Sequence, residues 1–137
     1  WNRRDAPDLP LLVVGDGPAR KSLERRFPEV RFMGTLSGEP LARAYCAADV
    51  FVFPSLTDTF GNVLLEALAC GVPVAAYPVP GPLDVIGNSG AGVLDEDLRK
   101  ASLEALKIPP EKALEHAQKF TWEECARIFL EAGRKAA

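Results

Sequence analysis

The chain has 137 residues, 47% of them hydrophobic and 26% charged, which is enough for one domain with a real core and matches the balance of an ordinary globular protein. A formal net charge of −3 argues against a nucleic-acid binder, and the one basic cluster, "RKSLERR", is diluted by Glu24 and reads as a solvated helix face. Three cysteines, Cys46, Cys70 and Cys125, lie far apart in apolar helical patterns and read as small buried thiols in a reducing compartment, not as a disulfide framework or a zinc site. No apolar run reaches the roughly 18 to 20 residues of a membrane span and the start does not resemble a signal peptide, so a cytoplasmic location is expected.

The chain opens on Trp1 rather than Met, and "WNRRDAPDLP" reads as the polar lead-in of a piece cut from a longer protein. Pro10 to Gly15 ("PLLVVG") is a buried strand, "DGP" a turn, and Pro18 starts a helix to about Phe27. Val30 to Gly34 is the second strand. Ser37 to Asp49 supplies a helix with Leu41, Tyr45 and Ala48 on one face. Then follow the strand "VFVFPS", the loop "LTDTF", a helix from Gly61 to Cys70, the strand "PVAAY", a turn "PVPGP" and a short strand "GAGVL". From Asp95 the pattern is helical only, broken by "IPP" at 108 to 110.

Strands alternating with helices imply parallel strands joined by crossovers, with helices on both faces: an α/β, Rossmann-like open sheet with extra C-terminal helices. Ligands of such sheets bind beyond the carboxyl ends of the strands. The loops that matter are therefore Gly15 to Pro18, Met33 to Ser37, Pro54 to Gly61 and Tyr77 to Gly81. They hold no paired-acid motif and no His/Cys cluster, and no metal or cofactor is expected.

The loop "SLTDTFGN" feeds straight into a helix whose first amides, Gly61 to Leu64, lack intrahelical partners and carry the positive end of the dipole. A phosphate fits there, although Thr59 capping the helix and Gly61 turning the chain is an equal reading of this stretch alone. Glu66 adds weight to the first. It stacks one turn above Asn62, while Val63, Leu64, Leu65, Ala67, Leu68, Ala69 and Cys70 cover every other direction. A carboxylate in such a helix must face a wet cleft or accept hydrogen bonds. Ribose hydroxyls beside a phosphate would meet it, since an ionised carboxylate accepts from two donors at once.

Asp58 and Glu66, separated by seven residues and followed by "ALACGVPVAA", resemble the E-x7-E motif of retaining GT-B glycosyltransferases of the family 4 type. "GDGP" at 15 to 18, "RFMG" at 31 to 34, "AADVFVFPS" at 47 to 55 and "PGPLDVI" at 80 to 86 follow the same order as in that family. The resemblance runs from about Leu11 to "FTWEECARIFL" and is to the C-terminal, donor-binding half of a two-domain enzyme. It implies that residues 1–137 are one domain, with the N-terminal acceptor domain and the Gly-Arg…Lys diphosphate element outside it. By resemblance, Glu66 binds the ribose hydroxyls and Asp58 sits by the donor sugar. Thr59, Phe60, Gly61, Asn62, Val63 and Leu64 approach sugar and diphosphate, and Met33 and Gly34, with the Gly15 and Gly17 loop, lie near the base. Asp58 replaces the usual Glu and is one methylene shorter, which leaves the sugar open. The substrate implied is a nucleotide sugar, UDP- or GDP-linked, passed to a lipid, glycan or small-molecule acceptor; no catalytic residue is assignable in this half.

Other residues read as structural. His116 belongs to a surface or helix-packing position, Trp122 and Phe129 to the core or the last helix, Asp49 and Ser55 to strand ends. Gly15-x-Gly17 is too short for a dinucleotide fingerprint. Rival readings are a sugar-nucleotide epimerase or phosphorylase of the same fold, or a non-catalytic nucleotide-binding module. The absence of lysine between Lys21 and Lys100 speaks against a pyridoxal-phosphate phosphorylase in these loops.

Overall fold

Runs of Leu, Val and Phe bounded by turn residues become short parallel strands, each tied to the next by a helix. The computed structural model describes residues 9–57, 60–121, 123–124 and 126–127. These fall into two compact units divided between Ala42 and Arg43.

In the first unit β1 (Leu12–Val14) pairs in parallel with β2 (Arg31–Gly34), joined through α1 (Arg20–Arg26). Parallel pairing requires such a crossover, because a hairpin turn cannot bring the second strand back in the same direction. The β1 ladder is shorter than the apolar run, but contact continues beyond it, with Gly15 N donating to Gly34 O at 2.7 Å. Gly34 has φ 72°, a left-handed backbone state that favours glycine, and the Arg20 guanidinium occupies the space a Cβ would take, 2.7 Å from Nη1. The next helix, α2 (Gly38–Cys46), contains the division between the units.

The second unit holds β3 (Phe51–Phe53), β4 (Val74–Ala76) and β5 (Gly92–Leu94) in that order, all parallel, with Phe51 opposite Val74 and Val74 opposite Gly92. Its helices are α3 (Asn62–Ala69), α4 (Pro80–Val85), α5 (Leu98–Ala105) and α6 (Pro110–Ala117). The central strand is buried on both faces. Val74 and Ala76 join a core with Phe53, Leu64, Leu68, Val85 and Ile86, whereas Ala75 packs with Ala101 and Ala105 of α5. Layers on both sides of a parallel sheet are the α/β arrangement expected from the alternation. The small residues let α5 approach the strands closely. On β5, Gly92 sits tightly against its neighbours β4 and Ile86: a Cβ there would lie 2.5 Å from Val74 O and 3.2 Å from Ile86 Cγ2.

Local chemistry sets the helix ends. α3 stops in a Schellman turn, with Val72 N donating to Ala67 O (3.0 Å) and Gly71 N to Leu68 O (2.9 Å), and Gly71 takes the left-handed φ of 75° that this turn requires. α5 starts at Asp97, whose carboxylate accepts from the amides of Arg99 and Lys100 at 3.0 and 3.1 Å, a cap worth about 1 kcal/mol. One expectation is corrected. "PVPGP", read as a turn, opens into helix α4, because Val79 stays extended (φ −109°, ψ 164°) and Pro80 occupies the first helical turn, where its missing N–H is no loss.

Candidate functional site

Pro54 to Gly61 and Tyr77 onward leave neighbouring parallel strands at their carboxyl ends, so both stretches start from one edge of the β3–β4–β5 sheet. The first enters α3 through Gly61, which is buried and left-handed (φ 72°, ψ 60°), a backbone state open to glycine and strained for other residues. No side chain caps the helix start among the described residues. The amides of residues 61 to 64 do not all remain available to a ligand: Leu64 N donates to Gly61 O at 2.8 Å and closes the first turn. Asp58 and Thr59 lie outside the described residues. Leu56 and Phe60 on either side of them are exposed apolar side chains.

Along α3 the expected single polar stripe is present. Leu64, Ala67 and Leu68 are buried, Val63 and Leu65 half-buried, while Asn62, Glu66 and Ala69 are exposed along one side. The helix packs on the sheet and on α6 with its other faces. Glu66 therefore stays hydrated and needs no buried counter-ion.

Glu66 also has a specific neighbour. The Tyr45 phenol, from the last turn of α2, is near enough to feel its charge. The Tyr45 ring meets Phe51 of β3 edge to face, centroids 5.4 Å apart. One residue along α2 and one turn along α3, the Cys46 thiol influences Cys70 in the same way. Burial, and then the Cys46 thiol, push the Cys70 thiol up to about 11. Against the expectation of buried thiols, Cys70 is only half-buried and Cys46 is exposed, because the C-terminal turn of α2 presents it outward; Cys125 lies outside the described residues.

Burial, and then the Glu66 carboxylate, push the Tyr45 phenol from 10.0 to about 12. The fold thus favours the protonated phenol: its contribution is full below the unfolded value near 10.0 and is lost as pH rises toward 12. Urea midpoints taken across this alkaline window should fall further for the wild type than for Tyr45→Phe. Parallel decline of the two proteins would show that Tyr45 does not carry the effect.

In the first unit the predicted base-side residues meet one another. Gly15 and Gly34 are hydrogen-bonded, Met33 is half exposed beside them on β2, and Gly17 N donates to the Asp16 carboxylate at 2.7 Å. Here Gly17 N is the donor and Asp16 Oδ1 the acceptor, and this bond, followed by Arg20, holds the Asp16 carboxyl below its usual range. The residue pattern of α1 predicts Arg20 on a solvated face. Instead it bridges Asp16 (3.0 Å) and Glu24 (2.8 Å) and reaches the Phe32 carbonyl at 3.4 Å, so it braces this loop. An alternating charge pattern hides such a bracing role, since it records spacing and not the direction of a side chain. An open depression of about 400 Å³ lined by Asp16, Gly17, Pro18, Arg20, Lys21 and Glu24 lies over it.

The remaining residues behave structurally. His116 is half-buried, donates from Nε2 to the Val85 carbonyl at 2.7 Å and stacks edge-on with Phe120, which fits helix packing. Ser55 Oγ accepts from Thr57 N at 3.4 Å at the end of β3, and Asp49 is exposed just before that strand. Trp122 and Phe129 lie outside the described residues. Asp95-x-Asp97 is a paired-acid sequence that lies outside the ligand loops. Both acids are engaged within the chain, Asp97 as the α5 cap and Asp95 with Lys100 and the Asp97 amide. Among the described residues no cluster of three or more His, Cys, Asp or Glu could hold a metal ion, and no helix is long and apolar enough to cross a membrane.

Comparison with known proteins agrees with this architecture. The family described as "Glycosyl transferases group 1" matches residues 2–107. A GDP-mannose-dependent alpha-mannosyltransferase of Corynebacterium glutamicum is 41% identical over 64% of this chain and 21% of its own length. A D-inositol 3-phosphate glycosyltransferase of Rhodococcus erythropolis is 36% identical over 96% of this chain and 35% of its own. The chain thus spans about a third or less of these relatives. Among solved structures, sucrose-phosphate synthase of Thermosynechococcus elongatus superimposes with a TM-score of 0.71 at 29% identity, over 92% of this chain and 38% of that one. A pneumococcal O-GlcNAc transferase solved with UDP and GlcNAc shares the fold, with a TM-score of 0.71 at 18% identity over 93% of this chain and 29% of its own. A family match across most of the sequence, on a parallel α/β framework with the expected order of loops, places the chain in the group 1 glycosyl transferases.

Proposed function

We propose that this chain is the nucleotide-sugar donor-binding half of a retaining glycosyltransferase, which passes a sugar from a nucleoside diphosphate to an acceptor hydroxyl. Glu66 carries the reading: an exposed carboxylate on the one polar stripe of an otherwise core-facing helix, about one turn beyond a glycine-opened helix start at the ligand edge of the sheet. A diphosphate at that helix start would bring ribose hydroxyls to Glu66, and the helix amides would stabilise the charge left when the sugar departs. Asp58 is assigned to the donor sugar, and Gly15, Gly17, Met33 and Gly34 to the base. Residues 1–137 serve as one domain of the intact enzyme, whose other half would bring the acceptor, a lipid, glycan or small molecule. The cytoplasm, where nucleotide sugars are made, suits this role. The GDP-mannose dependence of one relative makes GDP the first nucleotide to test.

Calorimetric titration of the chain with GDP, UDP and ADP tests the reading. Saturable binding of GDP or UDP is expected. Absence of binding by all three would remove the donor-site assignment.

A further inference from the structure

We infer that Arg20 is a positioning residue for base recognition: its guanidinium holds β2 around Met33 in the shape that offers the peptide groups of Met33 and Gly34 to the nucleotide base. This rests on the assignment of Met33 and Gly34 to the base and adds a side chain from another element.

The second strand is irregular at the residues that matter. Val13 of β1 lies opposite Phe32, but Val14 lies opposite Gly34, so the register slips by one and Met33 has no residue across from it. Such a bulge leaves its extra residue out of the ladder and bends the strand locally, which re-aims the groups it carries. Pairing with β1 is then a weak hold on Met33. A contact from outside the two strands can restore what the ladder loses.

Arg20, the first residue of α1, reaches the strand on both sides of Met33. Its Nη2 donates to the Phe32 carbonyl at 3.4 Å, just before the slip. Its Nη1 fills the space over Gly34, just after it: a Cβ on Gly34 would lie 2.7 Å from that nitrogen. The missing side chain at position 34 is what admits the guanidinium. Nη1 also pairs with Asp16 Oδ2 at 3.0 Å, and Nε with Glu24 at 2.8 Å, while Asp16 Oδ1 accepts from Gly17 N at 2.7 Å. One guanidinium thus ties the Gly15 to Gly17 turn to β2, two stretches that also meet through Gly15 N and Gly34 O at 2.7 Å. A planar fork of five N–H groups holds several partners in fixed directions, which the point charge of a lysine does not. Partly exposed ion pairs of this kind add little to stability, so their effect here is orientation.

The test compares GDP and UDP with ribose 5-diphosphate, titrated into the wild type, Arg20→Met and Arg20→Lys, while the amide resonances of Gly15, Met33 and Gly34 are followed by NMR. Ribose 5-diphosphate lacks the base, so the ratio of nucleotide affinity to ribose 5-diphosphate affinity reads base contacts alone. Loss of a positive charge near a diphosphate weakens both ligands alike and cancels in that ratio. In the wild type, Met33 and Gly34 should shift with the nucleotide and not with ribose 5-diphosphate. The ratio should fall by about three- to tenfold in both variants, the range of a single hydrogen bond, because Arg20→Lys keeps the charge but loses the fork. A wild-type ratio in either variant, with base-dependent shifts present in the wild type, would overturn the role of Arg20 and leave the base assignment standing. Equal weakening of both ligands with a lowered thermal midpoint would mark a structural role only and also overturn the positioning role. No binding by the wild type, or no base-dependent shift at Met33 and Gly34, would overturn the base assignment and the role of Arg20 together.

Discussion

Replacing Leu68 by alanine is expected to lower the free energy of unfolding by about 2–5 kcal/mol. Leu68 is fully buried on the face of α3 that meets the sheet, in one cluster with Phe53, Leu64, Val74 and Ile86. Much of the surrounding core is alanine: Ala67, Ala76, Ala91 and Ala113 share the cluster. Such residues have no side-chain length with which to fill a cavity. The backbone elements they belong to are already close, and so the void should persist and the loss should fall in the upper part of the range. Against a typical domain stability of about 5–15 kcal/mol this is a large fraction. Urea unfolding followed by circular dichroism reads it as a lower midpoint with an unchanged slope. A loss below about 1 kcal/mol would mean that α3 is not seated on the strands as described.

Two residues earlier on the same helix the opposite pattern is expected. Glu66→Ala should leave stability within about 0.5 kcal/mol of wild type, because the side chain is exposed, yet weaken nucleotide binding by about 1.5–3 kcal/mol, the range for hydrogen bonds to a charged group. That is a loss of roughly tenfold to more than a hundredfold in affinity. The nucleotide that binds the wild-type chain is the ligand to use, with thermal melts run alongside. Unchanged affinity in a folded variant would separate Glu66 from the ribose. The Leu68 and Glu66 variants together test whether α3 divides its work by face, with the core on one side and ligand on the other.

Much of this division is written in the residue pattern. Asn62 and Glu66 are four residues apart among apolar neighbours, and helical geometry alone puts them on one stripe. Strand and helix alternation likewise announces parallel pairing and locates the ligand loops. Tyr45 shows where such reading stops. Its spacing with Leu41 and Ala48 marks it as part of an apolar face, and periodicity treats the whole side chain as one type. The ring does pack, but the hydroxyl at its far end feels the Glu66 carboxylate on another helix, which periodicity does not record. Arg20 is a second example, since its charge pattern suited a solvated face while its length let it fold back onto Asp16 and the Phe32 carbonyl. Pro80 is ambiguous for a different reason: proline breaks a helix interior but starts a helix well, and only the extended Val79 before it distinguishes the two.

The parallel register of β3 with β4 has a kinetic consequence. Phe51 can meet Val74 only after the chain between them has formed a crossover, so this pair cannot zip from a turn as a hairpin does. The connecting element is α3, and its docking through Leu64 and Leu68 draws the two strands into reach of one another. The β3–β4 pair therefore requires the crossover that carries Glu66. The exposed stripe is not an ornament placed on a finished sheet; it comes into being in the same event that closes the core, and any partly folded state without the sheet also lacks the site.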